Sequence, residues 1–395
     1  MVPFFVSEET PLLVSILLFL TIIFLALKHK SSKVPPLPPG PRPWPIIGNL
    51  PSIDNKPHLS LTHLAQTYGP LISLRLGSQL IVVGSSPEAA AEILKTHDRL
   101  LSGRYVPHAL YARRPDQSHT SFWTDCTDQW KFLRTLCRSE LFGPKMIEAQ
   151  SILREEKVQE MVEYLCSKEG QPVQISQVVF ASMFNILGQV FFTRDFIGFN
   201  EGKESGSMSR LMRELSEFWA SPNISDLYPI LGGLDLQGLS RKSDVCVGKI
   251  CGAWQNIIEK RRENKGINAE RHKDFLDVLL DNEFSDDQIN HLFLELFAAG
   301  SDTSTSTVVW AMAELIKNPE SMDKIRKEVA SHISQSAIKE SDLAHLPHLQ
   351  ACFKETLRLH PPAPFLLPHR AIQDCHVWQG MLPMVIIGLR LRSGS

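Results

Sequence analysis

The segment from Ser285 to Lys317 constrains the fold more than any other part of the sequence. Ser285-Asp286-Asp287-Gln288 has the form of a capping box, in which a hydroxyl and an amide satisfy backbone N–H groups that a helix start leaves unpaired. Ile289, Leu292, Phe293, Leu296 and Phe297 then recur at i, i+3, i+4, i+7 and i+8, which is one face of an α-helix. No proline interrupts the segment until Asn318-Pro319, where the residue before proline is driven out of helical geometry. Thirty-odd residues make a rod roughly 45 Å long. A rod of that length that is apolar on more than one face crosses the inside of a domain. Helical periodicity dominates from Asp128 onward, so the expected fold class is mainly α with a small β-sheet.

The β content is placed early. Leu71-Ile72-Ser73-Leu74-Arg75-Leu76-Gly77 and Leu80-Ile81-Val82-Val83 flank a short Gly-Ser-Gln turn and predict a hairpin. Ser86-Pro87-Glu88 opens a helix predicted to run to about His97, with proline at its first position and an acid in its first turn. Upstream, Val34 to Pro45 is so rich in proline that it cannot be helical and forms a stiff hinge. Before it, Thr10 to Leu27 carries no charge. Its length matches the hydrocarbon core, roughly 27 Å at helical rise. Glu8 and Glu9 precede this run and Lys28, Lys30 and Lys33 follow it, which orients the remainder toward the cytosol. The start is not basic and no small-residue cleavage site follows, so an uncleaved anchor is expected rather than a signal peptide.

The chain of 395 residues is long enough for a large core, and its net charge of -2 gives no attraction to nucleic acid. Its seven cysteines form no Cys-x-x-Cys pair and no zinc spacing, so no metal is assigned to them. They are read as reduced thiols on the cytosolic side.

Several constellations can carry chemistry. In Ala299-Gly300-Ser301-Asp302-Thr303-Ser304 a glycine sits mid-helix, at a cost of about 1 kcal/mol relative to alanine, beside an acid and an alcohol suited to proton transfer. Read plainly, it is a tolerated glycine with two polar neighbours. Glu355 and Arg358, three apart in Lys354-Glu355-Thr356-Leu357-Arg358, share one helix face and could be a simple exposed ion pair. Trp130 and Arg134 are four apart and bring two donors to one face, as a carboxylate would require. Arg370 follows in Leu367-Pro368-His369-Arg370-Ala371. Lys131, Arg138 and Lys145 are a solvated basic face or a docking patch for an acidic partner. Ala363, Phe365, Leu366, Phe293 and Leu296 are apolar and suit either core packing or a pocket for a small apolar or aromatic substrate.

In this order these motifs, with the anchor and the Pro-Pro-Gly-Pro hinge, resemble the cytochrome P450 family of haem-thiolate monooxygenases. The resemblance extends to about Asp374. It implies a P450 fold with haem b as cofactor and NADPH-cytochrome P450 reductase as electron donor. It also implies a single-pass location in the endoplasmic reticulum membrane. Asp302 and Thr303 would be catalytic. Ala299 and Gly300 would make room for dioxygen beside the haem. Trp130, Arg134 and Arg370 would hold its propionates. Glu355 and Arg358 would form a buried structural pair, completed by an arginine from a downstream Pro-Glu-Arg-Phe-like segment. Stretches such as Trp123-Thr124-Asp125-Cys126-Thr127 and Leu136-Cys137-Arg138-Ser139-Glu140-Leu141-Phe142 resemble the plant group that acts on benzylisoquinoline alkaloids, by aromatic hydroxylation or phenol coupling. The terpenoid-oxidising geraniol 8-hydroxylase group is the nearest rival.

The sequence departs from the family pattern in two ways. Ser304 stands where threonine is frequent. The Phe-x-x-Gly-x-Arg-x-Cys-x-Gly loop that supplies the iron ligand is not found, and Cys375 lacks its glycine and arginine neighbours. The resulting expectation has four parts: residues 1–33 as anchor and basic stop, 34–45 as hinge, 46–374 as a P450 domain incomplete at its C-terminal end, and 375–395 as a divergent tail. A chain so shortened is expected to be catalytically silent. A non-catalytic, membrane-anchored pseudoenzyme is the alternative.

Overall fold

The computed structural model describes residues 37–111, 121–199, 208–263, 274–332, 339–377, 380–382 and 386–389, with Ser15, Phe19 and Thr21. The expected anchor otherwise lies outside the described residues. Among the described residues ten helices have seven residues or more. They are α1 (Pro57–Tyr68), α2 (Asp128–Cys137), α3 (Ser151–Ser167), α4 (Ile175–Phe192), α5 (Met208–Ala220), α6 (Leu239–Glu263), α7 (Phe275–Asp281), α8 (Asp286–Lys317), α9 (Pro319–His332) and α10 (Pro347–Leu359).

α8 is the predicted rod. Its capping box forms as expected: Ser285 Oγ accepts from Gln288 N, and the Gln288 side chain accepts from Ser285 N. Ile289, Leu292, Phe293 and Phe297 are fully buried. α4 lies against α8, and the two share a stack of aromatic rings. Phe184 stacks on Phe297 at 4.2 Å and Phe191 on Phe293 at 5.1 Å, while Trp254 of α6 packs on Phe297 at 5.4 Å. The Trp254 N–H, which would otherwise be orphaned in this apolar centre, donates to Asn290 Oδ1 at 2.7 Å. α4 is apolar and long enough to cross a membrane by composition. Here that apolarity is spent on the core.

The sheet has five strands in the order β1-β2-β7-β4-β3: β1 is Leu71–Leu76, β2 Gln79–Gly84, β3 Gly103–Arg104, β4 His369–Arg370 and β7 Ile386–Leu389. The predicted hairpin is β1 and β2, paired from Leu71↔Gly84 to Leu76↔Gln79. β7 runs parallel to β2 and antiparallel to β4, so it joins the hairpin to the β3–β4 pair. β5 (Cys375–Val377) and β6 (Gly380–Leu382) form a separate small hairpin. Residues 375–377, 380–382 and 386–389, set apart on sequence as a tail, are thus paired strands. The helix opened by Pro87 is regular only to Ala91 and continues to Thr96 with wider, π-type turns.

Candidate active site

α8 presents the acid and the alcohol in two directions. Thr303 is exposed, and its hydroxyl donates to the Ala299 carbonyl at 2.7 Å. Ala299, one turn earlier, is exposed as well, so the two residues form an open strip. Asp302 points instead toward α5, where its Oδ2 accepts from Ser216 Oγ at 2.6 Å. Burial raises the pKa of Asp302 above the ordinary carboxylate value, and the Ser216 bond and the Arg213 charge offset this only in part. A carboxyl with raised proton affinity suits a group that must give up and regain a proton.

Gly300 sits within α8, which runs unbroken from Asp286 to Lys317. A Cβ there would lie 2.9 Å from Leu187 Cδ1. The glycine leaves room for the Leu187 side chain of α4 against α8. Phe293 is also relocated: it is fully buried among Phe191, Phe192 and Phe275 and belongs to the core rather than to a pocket. Leu296, on the next turn, does line a cavity of about 310 Å³, with Phe122, Arg134, Cys137 and Arg138. Burial pushes the Cys137 thiol up to about 12, so it stays protonated.

A cationic cradle forms where α2 meets the sheet edge. Arg370 of β4 and Arg104 of β3 lie on paired strands, with Gly103 opposite Arg370. Arg370 Nη2 donates to Asp125 Oδ2 at 2.5 Å, and Asp125 Oδ1 accepts the Arg104 N–H at 3.0 Å. Burial lowers the pKa of the Arg104 guanidinium, and the charge of Arg134 nearby lowers it further. The Arg370 guanidinium is thus paired with Asp125, while the Arg104 and Arg134 charges lie near enough to act on one another, a cationic surplus that a dianion with two carboxylates at one edge matches. Trp130 plays a different part from the one expected. Its N–H donates to the Ser121 carbonyl at 3.0 Å, and the Arg134 guanidinium lies over its ring, 5.4 Å from the centroid. Ser121 is fixed in turn by Glu295, a buried carboxylate on α8 that accepts from the Ser121 N–H at 2.7 Å and the Phe122 N–H at 3.3 Å. Trp130 therefore braces α2 against α8 and supports Arg134 from beneath.

Glu355 and Arg358 form a two-bond fork at 2.7 Å each, but they are 53% and 40% exposed rather than buried. Arg358 draws the Glu355 carboxyl below the usual range. On the way from α10 to β4, Ala363 and Leu366 are exposed and Phe365 is half-buried. Leu366 closes a turn by donating to the Ala363 carbonyl at 3.0 Å, with φ at +56°. That left-handed conformation is strained for leucine and fixes where the apolar side chain stands. Cys375 is buried with Leu71, Val82 and Ala371, and burial raises its pKa. A metal-binding thiolate requires the opposite environment. The residues present thus fit the acidic edge of a haem, and Cys375 does not fit as its axial ligand.

Arg104, Asp125, Ser216 and Glu295 were not singled out on sequence. Their partners lie far away along the chain, 174 positions in the case of Glu295 and Ser121, and no local spacing signals them.

Comparison with known proteins agrees with this arrangement. The family model described as Cytochrome P450 matches residues 38–384. The chain is 46% identical to corytuberine synthase of Coptis japonica over 375 residues, which is 94% of this chain and 76% of that one. It is 43% identical to (S)-N-methylcoclaurine 3'-hydroxylase isozyme 1 of Eschscholzia californica, covering 92% and 74% of the two chains. It is 36% identical to berbamunine synthase of Berberis stolonifera, covering 94% and 76%. A rod-like central helix with an acid–alcohol pair, an arginine cradle at the sheet edge and a family match over most of the length lead to one conclusion: this chain belongs to the cytochrome P450 family, whose enzymes carry haem b and act as monooxygenases.

Proposed function

We propose that the chain belongs to plant alkaloid metabolism and takes a benzylisoquinoline as substrate, for aromatic hydroxylation or phenol coupling. The observation that carries the substrate class is the set of relatives, named for a corytuberine synthase, N-methylcoclaurine 3'-hydroxylases and a berbamunine synthase. Haem b, when bound, supplies the oxidising chemistry. The residues of the chain do the rest. Arg104, Arg134 and Arg370 hold the two carboxylates of the cofactor. Thr303 exchanges its bond to the Ala299 carbonyl for one to a ligand lying on the open strip of α8. Asp302 holds a proton behind that strip, kept in place by Ser216. Leu296, Phe365 and Leu366 give the site an apolar wall that prefers a ring system to a polar metabolite. Lys131 is paired with Asp128 at 2.8 Å, so the exposed Arg138 and Lys145 are the cations that meet an acidic reductase. The site belongs at the endoplasmic reticulum membrane, with the domain on the cytosolic side.

The test is ligand binding to the haem-loaded protein. (S)-N-methylcoclaurine is expected to perturb the absorption of the bound haem at lower concentration than geraniol does. A stronger response to geraniol would move the reading to terpenoid oxidation.

A further inference from the structure

Trp310, Glu314 and His360 form a cluster that takes no part in the site described above. Trp310 and Glu314 stand four apart on α8, so they share one face. The same stripe holds Thr303, two turns before Trp310 and roughly 10 Å along the rod. Trp310 is 41% exposed and contributes little to the core. His360 is the first residue beyond α10, where its N–H closes the helix on the Thr356 carbonyl at 2.8 Å. Its imidazole lies flat on the Trp310 indole, with ring centroids 3.9 Å apart and planes 6° from parallel. Its Nε2 meets Glu314 Oε1 at 2.9 Å, and Lys317 Nζ holds the same oxygen at 3.1 Å. The bonds to His360 and Lys317 draw the Glu314 carboxyl below its usual range. An ionised carboxylate can only accept, so His360 Nε2 carries the hydrogen and donates it.

The chain beyond His360 is stiff. Pro361, Pro362, Pro364 and Pro368 make up half of residues 361–368. Proline fixes its own φ and restricts the residue before it, so few backbone angles in this connector are free. The turn that Leu366 closes on the Ala363 carbonyl removes more of that freedom. The far end is tied down as well, because His369 Nδ1 bonds the Leu101 carbonyl at 2.7 Å and Arg370 enters β4. The connector that carries Phe365 and Leu366 thus has two anchors, β4 at one end and the His360 clamp on α8 at the other. In a stiff segment a shift at either anchor carries the apolar side chains along with it.

We propose that His360 is a positioning residue for the substrate: clamped on Trp310 and Glu314, it sets where the proline-stiffened connector holds Phe365 and Leu366 relative to the Thr303 strip. The proposal rests on the reading of Phe365 and Leu366 as the apolar wall of the site. The two contacts do different work. Stacked rings resist tilting but slide easily over one another. The bond to Glu314 stops the slide. A phenylalanine at 360 would keep the stack and lose the bond, and an alanine would lose both. Because α8 carries Thr303 and the clamp on one stripe, the clamp refers the wall to the same helix that presents the hydroxyl.

The experiment follows the haem absorption of the haem-loaded, detergent-solubilised protein while (S)-N-methylcoclaurine is added. Geraniol is titrated in parallel, so that the variants can be compared whichever of the two the parent binds. His360→Ala and Trp310→Ala are each expected to weaken the ligand about ten-fold. The double variant is expected to lose no more than either one, because both changes open the same clamp. His360→Phe is expected to recover part of the loss. Haem retention, read as the rate of transfer to apomyoglobin, is expected to stay at the parent value, because the arginine cradle lies beyond the β4 anchor. Leu366→Ala alters the wall directly. If it leaves the ligand unaffected, the wall assignment fails and the proposal with it. If Leu366→Ala weakens the ligand and His360→Ala does not, the wall stands and the proposal is overturned. Additive losses in the double variant, haem lost in step with ligand affinity, or a lower melting temperature at unchanged affinity would each overturn it too, leaving the cluster a brace between two helices.

Discussion

Asp302 shows how one side chain serves structure and chemistry at once. Its half-buried carboxyl pays a desolvation penalty that Ser216 and Arg213 only partly recover. A raised carboxyl pKa makes the ionised form costly to the folded state. That cost is absent below the carboxyl pKa of the unfolded chain, grows as pH rises from there to the folded value, and is complete above it. Asp302→Asn keeps an acceptor for the Ser216 hydroxyl and removes the charge. The variant is therefore expected to be more stable than the parent at pH 7 and equal to it at low pH, as chemical denaturation at several pH values would show. The opposite sign at neutral pH would mean that the carboxylate is stabilised by groups other than Ser216 and Arg213. At the same scale, the acid–alcohol pair and two of the arginines, Arg134 and Arg370, were legible in the sequence because each is local or carried by a recognisable motif. The answering groups were not. Asp125, Ser216 and Glu295 become visible only when segments far apart in the chain are brought together.

At the scale of elements, α8 was the most legible part of the chain. Its cap, its buried stripe and its end at Asn318 are all set by residues within a few positions of one another. The effect of Gly300 was not legible, because it depends on Leu187, on a different helix. Gly300→Val should force the two helices apart and cost about 1–3 kcal/mol of unfolding free energy, the usual penalty for overpacking. Leu187→Ala in the same chain is expected to recover part of that loss, a coupling that a double-mutant thermal unfolding cycle measures. Additive losses would place the cost of the valine elsewhere. Trp130 shows the reverse case. Its position on the helix face was readable, but the Ser121 carbonyl that takes its N–H was not. The hydrogen bond converts an expected ligand donor into a brace for α2.

At the scale of the whole molecule, the cradle of Arg104, Arg134 and Arg370 unites two strands and a helix that the sequence keeps apart. Haemin binding should depend on its carboxylates. Haemin dimethyl ester, which lacks those charges, is expected to bind about ten-fold or more weakly, as loss of a charge-assisted hydrogen bond of about 1.5–3 kcal/mol implies. Arg134→Gln should weaken haemin and leave the ester unchanged. Cys375→Ser should leave the haem spectrum unaltered, because that thiol packs inside an apolar cluster. A haem spectrum that changes on Cys375→Ser would instead place its sulfur on the iron.

The strand order β1-β2-β7-β4-β3 carries a consequence for how the molecule is made. The β1–β2 hairpin and the β3–β4 pair meet only through β7, whose residues are synthesised more than 300 positions after the hairpin. On the ribosome the hairpin emerges early and waits with one edge unpaired while every helix from α2 to α10 is being produced. Exposed strand edges of this kind invite pairing with other chains. The helical core around α4 and α8 can assemble from nearby segments in the meantime, whereas closing the sheet is a late and long-range event. The time between the hairpin and β7 is therefore the interval in which the nascent protein is most exposed to aggregation and most dependent on chaperones.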